Sequence, residues 1–192
     1  MGHHRIRRSL ILSCLGILSV LMFASTATAL EPLSAEETAA WQAVRADPPP
    51  KQLTRNSHYV ISDEKRHDLY RQSIEHSGGV FVGVGTNQNY EMIGWARSEV
   101  AVLLDFDQMV VDLHAVYRVA FLAISDPAEF IRFWHKDSYN KSEYLIRDVI
   151  TDPDAQKAAL KAYRYSRKLV YGKLRRTVRR DKKHDIQSFI SD

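Results

Sequence analysis

Two apolar rhythms divide this chain. Short strand-like runs interrupted by turns occupy the stretch before Gln108, and from Gln108 onward every apolar pattern is helical. Ser34-Ala35-Glu36-Glu37 is a capping box that predicts a short helix to about Ala46, ended by Asp47-Pro48-Pro49-Pro50, where proline withdraws the donor. His58 to Ser62 (HYVIS) predicts a first strand. Ser62 or Asp63 then caps a helix through Glu75, closed by Gly78-Gly79. Val80 to Gly83 predicts a second strand, Asn89 to Ser98 a helix, and Val100 to Leu104 a third strand. Beyond these, Met109 to Ile124 carries Val110, Leu113, Tyr117 and Phe121 on one helical face. Asp126-Pro127, Ser138 and Asp152-Pro153 each open a further helix, the last running to about Arg180.

The fold class expected is α/β, with a Rossmann-like βαβ core of few strands followed by a helical C-terminal half. Its parts are an N-terminal helix and Pro-rich linker over 30–57, the core over 58–125, and a helical segment with a basic last helix over 126–192. Three strands against four later helices is unbalanced, because each sheet face needs cover and open doubly wound sheets usually carry more strands. The layout therefore points to a chain truncated from a longer design, or to one that needs a partner, a homo-oligomer included.

The first 29 residues stand apart. His3 to Arg8 is a basic lead, Ser9 to Phe23 an apolar run, and Ala27-Thr28-Ala29 an A-x-A cleavage site, so export with cleavage after Ala29 is expected, to the periplasm or outside the cell. Cleavage removes Arg5, Arg7 and Arg8 and no acid, leaving 24 basic against 23 acidic side chains. A pI near 9.2 is then partly a property of the leader, and no specific nucleic-acid partner is implied. Cys14, the sole cysteine, leaves with it, which excludes a disulfide, a thiol nucleophile or a cysteine-ligated metal in the mature chain.

Candidate chemistry concentrates in VFVGVGTNQNYEMIGWARSEVAVLLDFD, Val80 to Asp107. Gly83 and Gly85 follow a strand and precede a helix, where glycine lets the backbone turn tightly and approach a ligand at the helix N-terminus. Asp105 lies 22 residues beyond Gly83, near the spacing of a ribose-binding acid. The third position of a G-x-G-x-x-G pattern holds Gln88, which weakens a dinucleotide reading. Thr86, Asn87, Asn89 and Tyr90 supply neutral hydrogen-bonding groups suited to an uncharged or zwitterionic ligand, or, equally, to capping the turn. A G-K-[ST] sequence is absent from this stretch, so nucleoside-triphosphate hydrolysis is disfavoured.

The run GGVFVGVGTNQNY, the W-A-R-S-E segment and LLDFDQMVVDLH together resemble an uncharacterised bacterial family of exported Rossmann-like proteins, itself distantly similar to class I S-adenosylmethionine-dependent methyltransferases. The resemblance covers Tyr59 to Tyr117 and implies that Gly83 and Gly85 meet an S-adenosylmethionine-like ligand, with Asp105 at its ribose. The chain departs from the methyltransferase pattern at Phe81, where an acid is usual, and it stops before the later strands. Catalytic residues are therefore not carried over. Export also takes the protein away from the compartment where such cofactors are made, and favours a repurposed pocket.

Two alternatives complete the reading. Asp105-Phe106-Asp107 ends an apolar strand as D-x-D, which can hold a divalent cation for phosphohydrolysis, although Asp107 equally serves as an N-cap. From Arg164 to Lys183 there are ten Lys or Arg and one acid, Asp181. That run suits a non-enzymatic interaction protein, with weak membrane contact through this helix besides the leader, or simply a solvated face.

Overall fold

The computed structural model describes residues 33–45, 47, 48 and 50–184. The leader expectation at residues 1–29, with Ala29 and Cys14, lies outside these residues. The chain divides into two units, Met1–Ala43 and Val44–Asp192. In the first, helix α1 spans Ala35–Ala43, and the capping box forms as its sequence dictates. Glu37 N–H donates to Ser34 Oγ at 3.1 Å while Ser34 N–H donates to Glu37 Oε2 at 2.8 Å.

The second unit is mixed α/β and dominated by helices. Its elements are α2 (Asp68–Ile74), β1 (Val80–Val84), α3 (Asn87–Ala96), β2 (Val100–Leu104), α4 (Gln108–Ala123), α5 (Pro127–Phe133), α6 (Tyr139–Val149) and α7 (Pro153–His184). The strands pair in parallel, Val80 opposite Val100 through Val84 opposite Leu104, joined by α3 as a parallel pair requires.

Two of the expected elements are not formed as expected. The segment His58 to Ser62 is not a strand, because side chains take its polar groups before a ladder can: Ser62 N–H donates to Asn87 Oδ1 at 2.9 Å, and Val60 is packed into the core. The helix expected from Ser62 or Asp63 begins only at Asp68, and its N-cap, His67, makes no capping bond. Lys173 holds the intervening backbone, its ammonium donating to the carbonyls of Ser62 (2.8 Å) and Glu64 (3.0 Å).

The four later helices form as the periodicity predicts. Val110, Leu113 and Tyr117 of α4 are buried, and this helix packs most extensively on α7. Two of the three expected N-caps form their side-chain bonds, while Ser138 stands at the start of α6 without one. Asp126 Oδ1 accepts the Glu129 N–H at 2.7 Å, and Asp152 Oδ1 accepts that of Ala155 at 2.8 Å. Trp134, fully buried, sits 4.8 Å from Tyr117 and 5.9 Å from Tyr163, ring centre to ring centre. The Phe133 carbonyl, left over at the end of α5, accepts from Ser142 Oγ (2.7 Å) and Tyr163 Oη (2.9 Å), locking α6 and α7 to α5. One residue on, Arg164 of α7 clasps Glu143 of α6 through Nε at 2.6 Å and Nη2 at 2.9 Å. This fork of charged donors holds the carboxyl down to about 2.

The sheet is the exception to this tight packing. Val80, Val82 and Val84 share a face and are 62–65% exposed, in register with Val100, Val102 and Leu104. Parallel sheets are normally covered on both faces. Here the β1 half of one aliphatic face stays largely exposed. No helix among the described residues is long and apolar enough to cross a membrane.

Candidate functional site

Parallel pairing brings both strand ends to one place. After β1 the chain turns at Gly85, whose φ of +85° is open to glycine and strained for a branched residue. Gly83, buried just before it, is needed for a different reason: a Cβ there would fall 2.5 Å from Asn89 Oδ1. The turn residues proposed from sequence are drawn together, but mostly onto each other. Asn89 Nδ2 donates to the carbonyls of Val84 (3.2 Å) and Gly85 (3.1 Å). Asn87 Oδ1 receives the Ser62 N–H and, at 3.5 Å, the Thr86 hydroxyl. Thr86, Asn87 and Asn89 are all buried. These amides fix the loop's shape, the turn-forming alternative to ligand contact, while Thr86, the N-cap of α3, makes no side-chain capping bond.

Tyr90 leads away from the turn into a relay. Its hydroxyl lies 2.7 Å from His114 Nδ1, and His114 Nε2 lies 3.0 Å from the Gly85 carbonyl. A carbonyl only accepts, so Nε2 carries the proton and Nδ1 accepts from Tyr90. Burial lowers the His114 pKa, against the opposing pull of the Gly85 carbonyl and the Asp105 charge, and so favours this neutral tautomer. Burial likewise raises Tyr90 well above its ordinary value, with Tyr117 beside it, and keeps the phenol protonated.

Asp105, at the end of β2, is partly exposed. Its Oδ1 accepts the Asp107 N–H at 2.8 Å, and its charge reaches His114. Gly85, His114 and Asp105 thus meet at the carboxyl ends of the strands, where open α/β sheets take ligands. Asp107 is employed otherwise. Its carboxylate caps α4 through the Met109 N–H at 3.0 Å and takes His58 Nδ1 at 2.9 Å. Among the described residues no group of three His, Cys, Asp or Glu side chains is placed to hold a metal ion.

A second polar cluster escaped the sequence reading. Glu91, one residue past Tyr90 on α3, turns the other way and is wholly buried. Its Oε2 accepts from His67 Nδ1 at 3.3 Å and from Arg180 Nη2 at 3.0 Å, while Arg180 also holds Asp181. Burial acts to raise the Glu91 pKa, but His67 and Arg180 together outweigh it and leave the carboxyl below its ordinary value. His67 Nε2 and Glu91 Oε1 find no hydrogen-bond partner among the described residues. Nothing local announces this cluster, because Glu91 and Arg180 are 89 residues apart.

The model of a family described as a domain of unknown function (DUF7790) matches residues 59–192. No curated protein matches the chain.

Proposed function

We propose that this chain, which belongs to the DUF7790 family, is an exported protein whose Rossmann-like β1–α3–β2 unit binds a small polar or nucleoside-like ligand. Its ancestry on this reading is methyltransferase-like, and its pocket is put to a use other than cytoplasmic methyl transfer. One observation carries the reading: parallel pairing through α3 sets the Gly85 turn and the Asp105 carboxylate at the same strand ends, with His114 between them. An adenosine-bearing ligand such as S-adenosylmethionine would find an acceptor for ribose hydroxyls in Asp105. A side-chain-free backbone at Gly85 would allow its close approach. The internally bonded Asn87 and Asn89 would preorganise the loop rather than touch the ligand.

Calorimetric titration with S-adenosylmethionine and S-adenosylhomocysteine tests this. The unaltered chain is expected to bind at least one of them, and Asp105→Asn to weaken that binding by about tenfold or more. Gly85→Val is expected to lower binding further, because a β-branched residue strains at φ +85° and fills the approach. Absence of heat with both nucleosides, from a chain with a normal circular dichroism spectrum, would sink the nucleoside reading.

A further inference from the structure

The long basic helix offers a surface that the strand-end site does not use. On α7 the apolar residues Ala159, Leu160, Tyr163, Val170 and Leu174 are buried, and their face packs on α4, α5 and α6. Two of the helix's cations turn inward as well, Lys173 to the loop carbonyls and Arg180 to Glu91. Lys168, Arg175, Arg176, Arg179, Lys182 and Lys183 remain exposed. At 100° per residue, spacings of seven, four and three align Lys168, Arg175, Arg179 and Lys182 in one row on the outward side of the helix, about 130° round from the centre of the buried stripe. This row extends about 21 Å along the helix. The sequence places one acid in that stretch, Asp181, and it is buried against Arg180. The helix dipole accounts for Lys182 and Lys183 near the C-terminus, but it fades within a turn and does not account for Lys168 or Arg175.

The shape of this row selects among anionic partners. A single strand of nucleic acid is held in a basic groove with aromatic platforms for its bases. Here the cations crown a convex ridge, and the neighbouring rings already have partners: Tyr171 is met by Arg175 at 5.6 Å and His135 at 4.8 Å, and Tyr165 packs against the edge of His58 at 5.1 Å. A convex ridge meets a flat charged sheet along its whole length. To one side of the row, about 70° and 110° round the helix from it, Tyr165 and Leu169 are 46% and 43% exposed, an aromatic and an aliphatic group of the kind that meets a lipid interface. We propose that α7 lies along the surface of an anionic phospholipid bilayer, held by this row of cations and flanked by Tyr165 and Leu169, without inserting its apolar stripe.

Co-sedimentation of the full chain with phospholipid vesicles tests the proposal. The readout is the preference for vesicles containing about 30 mol% phosphatidylglycerol over pure phosphatidylcholine at low salt, which subtracts any uncharged affinity of the N-terminal apolar run. At roughly 1 kcal/mol for each cation at the surface, the combined Lys168→Glu, Arg175→Glu and Arg179→Glu chain is expected to lose at least about tenfold of that preference. Arg175→Lys with Arg179→Lys is expected to retain it, because the attraction is one of charge. Lys182→Glu with Lys183→Glu, at the exposed end of the helix, is expected to lose part of it with little demand on folding. About 0.5 M salt is expected to abolish the preference of the unaltered chain. The proposal is overturned if the unaltered chain shows no preference, if both charge-reversed chains keep it in full, or if a single-stranded oligonucleotide at equal salt binds while vesicles do not.

Discussion

Glu91→Ala is expected to destabilise the second unit by about 3–5 kcal/mol, the cost of breaking a buried ion pair by removing one partner. Arg180 would keep Asp181, but His67 would lose the acceptor of its Nδ1–H in a place closed to water. Urea denaturation followed by circular dichroism measures the loss, and a midpoint unchanged from that of the unaltered chain would show that the cluster contributes nothing net. The pH dependence has a definite sign. Glu91 is more acidic folded than its ordinary value of 4.5, so the unfolded chain takes up its proton first. Its stabilisation is therefore complete above that value and is lost as pH falls through the lower, folded value. Glu91→Gln removes this titration, and its stability is expected to fall less steeply below about pH 4.5 than that of the unaltered chain.

Trp134→Ala is the second large effect, at about 3–5 kcal/mol. The indole is completely buried between α4, α5 and α7, in contact with Tyr117, Phe133 and Tyr163, and no side chain nearby can collapse into its volume without breaking those ring contacts. Trp134→Phe provides the contrast. The indole Nε1–H finds no acceptor among the described residues, so phenylalanine gives up packing volume while also removing a buried unpaired donor. Its loss should be well under half that of alanine, as read from paired denaturation curves. Equal losses for the two substitutions would mean that the N–H is satisfied and matters.

Local signals were legible wherever local chemistry decides. The Ser34–Glu37 box and the Asp126 and Asp152 caps form as written, because each depends on neighbours within four residues. The failures come from distant partners. The HYVIS segment has strand composition, yet Asn87, 25 residues away, takes the Ser62 N–H. The helix foreseen at Ser62 is displaced because Lys173, 111 residues from Ser62, captures two of its carbonyls. At the strand ends, spacing alone foretold the company of Gly85 and Asp105 but not that of His114, which arrives from α4 and whose significance depends on the tautomer set by the Gly85 carbonyl.

Lys173 has a consequence for the order in which the unit is completed. Burial lowers its pKa and makes its charge costly, so it holds its place through the two carbonyls it binds and the neighbouring Glu91 and Asp63 charges. During synthesis β1, α3 and β2 emerge before α7, and the 62–64 segment, held at the Ser62 N–H by Asn87, lacks its second anchor at the Ser62 and Glu64 carbonyls until α7 docks. Anything that lifts α7, whether a protease cut or a pull on its outer face, would release that segment and, through Ser62, one hydrogen bond of Asn87 in the turn. The last helix of the described residues thereby acts as the latch of a loop about 110 residues before it. Amide exchange at Ser62 should then speed up in Lys173→Met while the strand amides of Val82 and Val102 keep their protection.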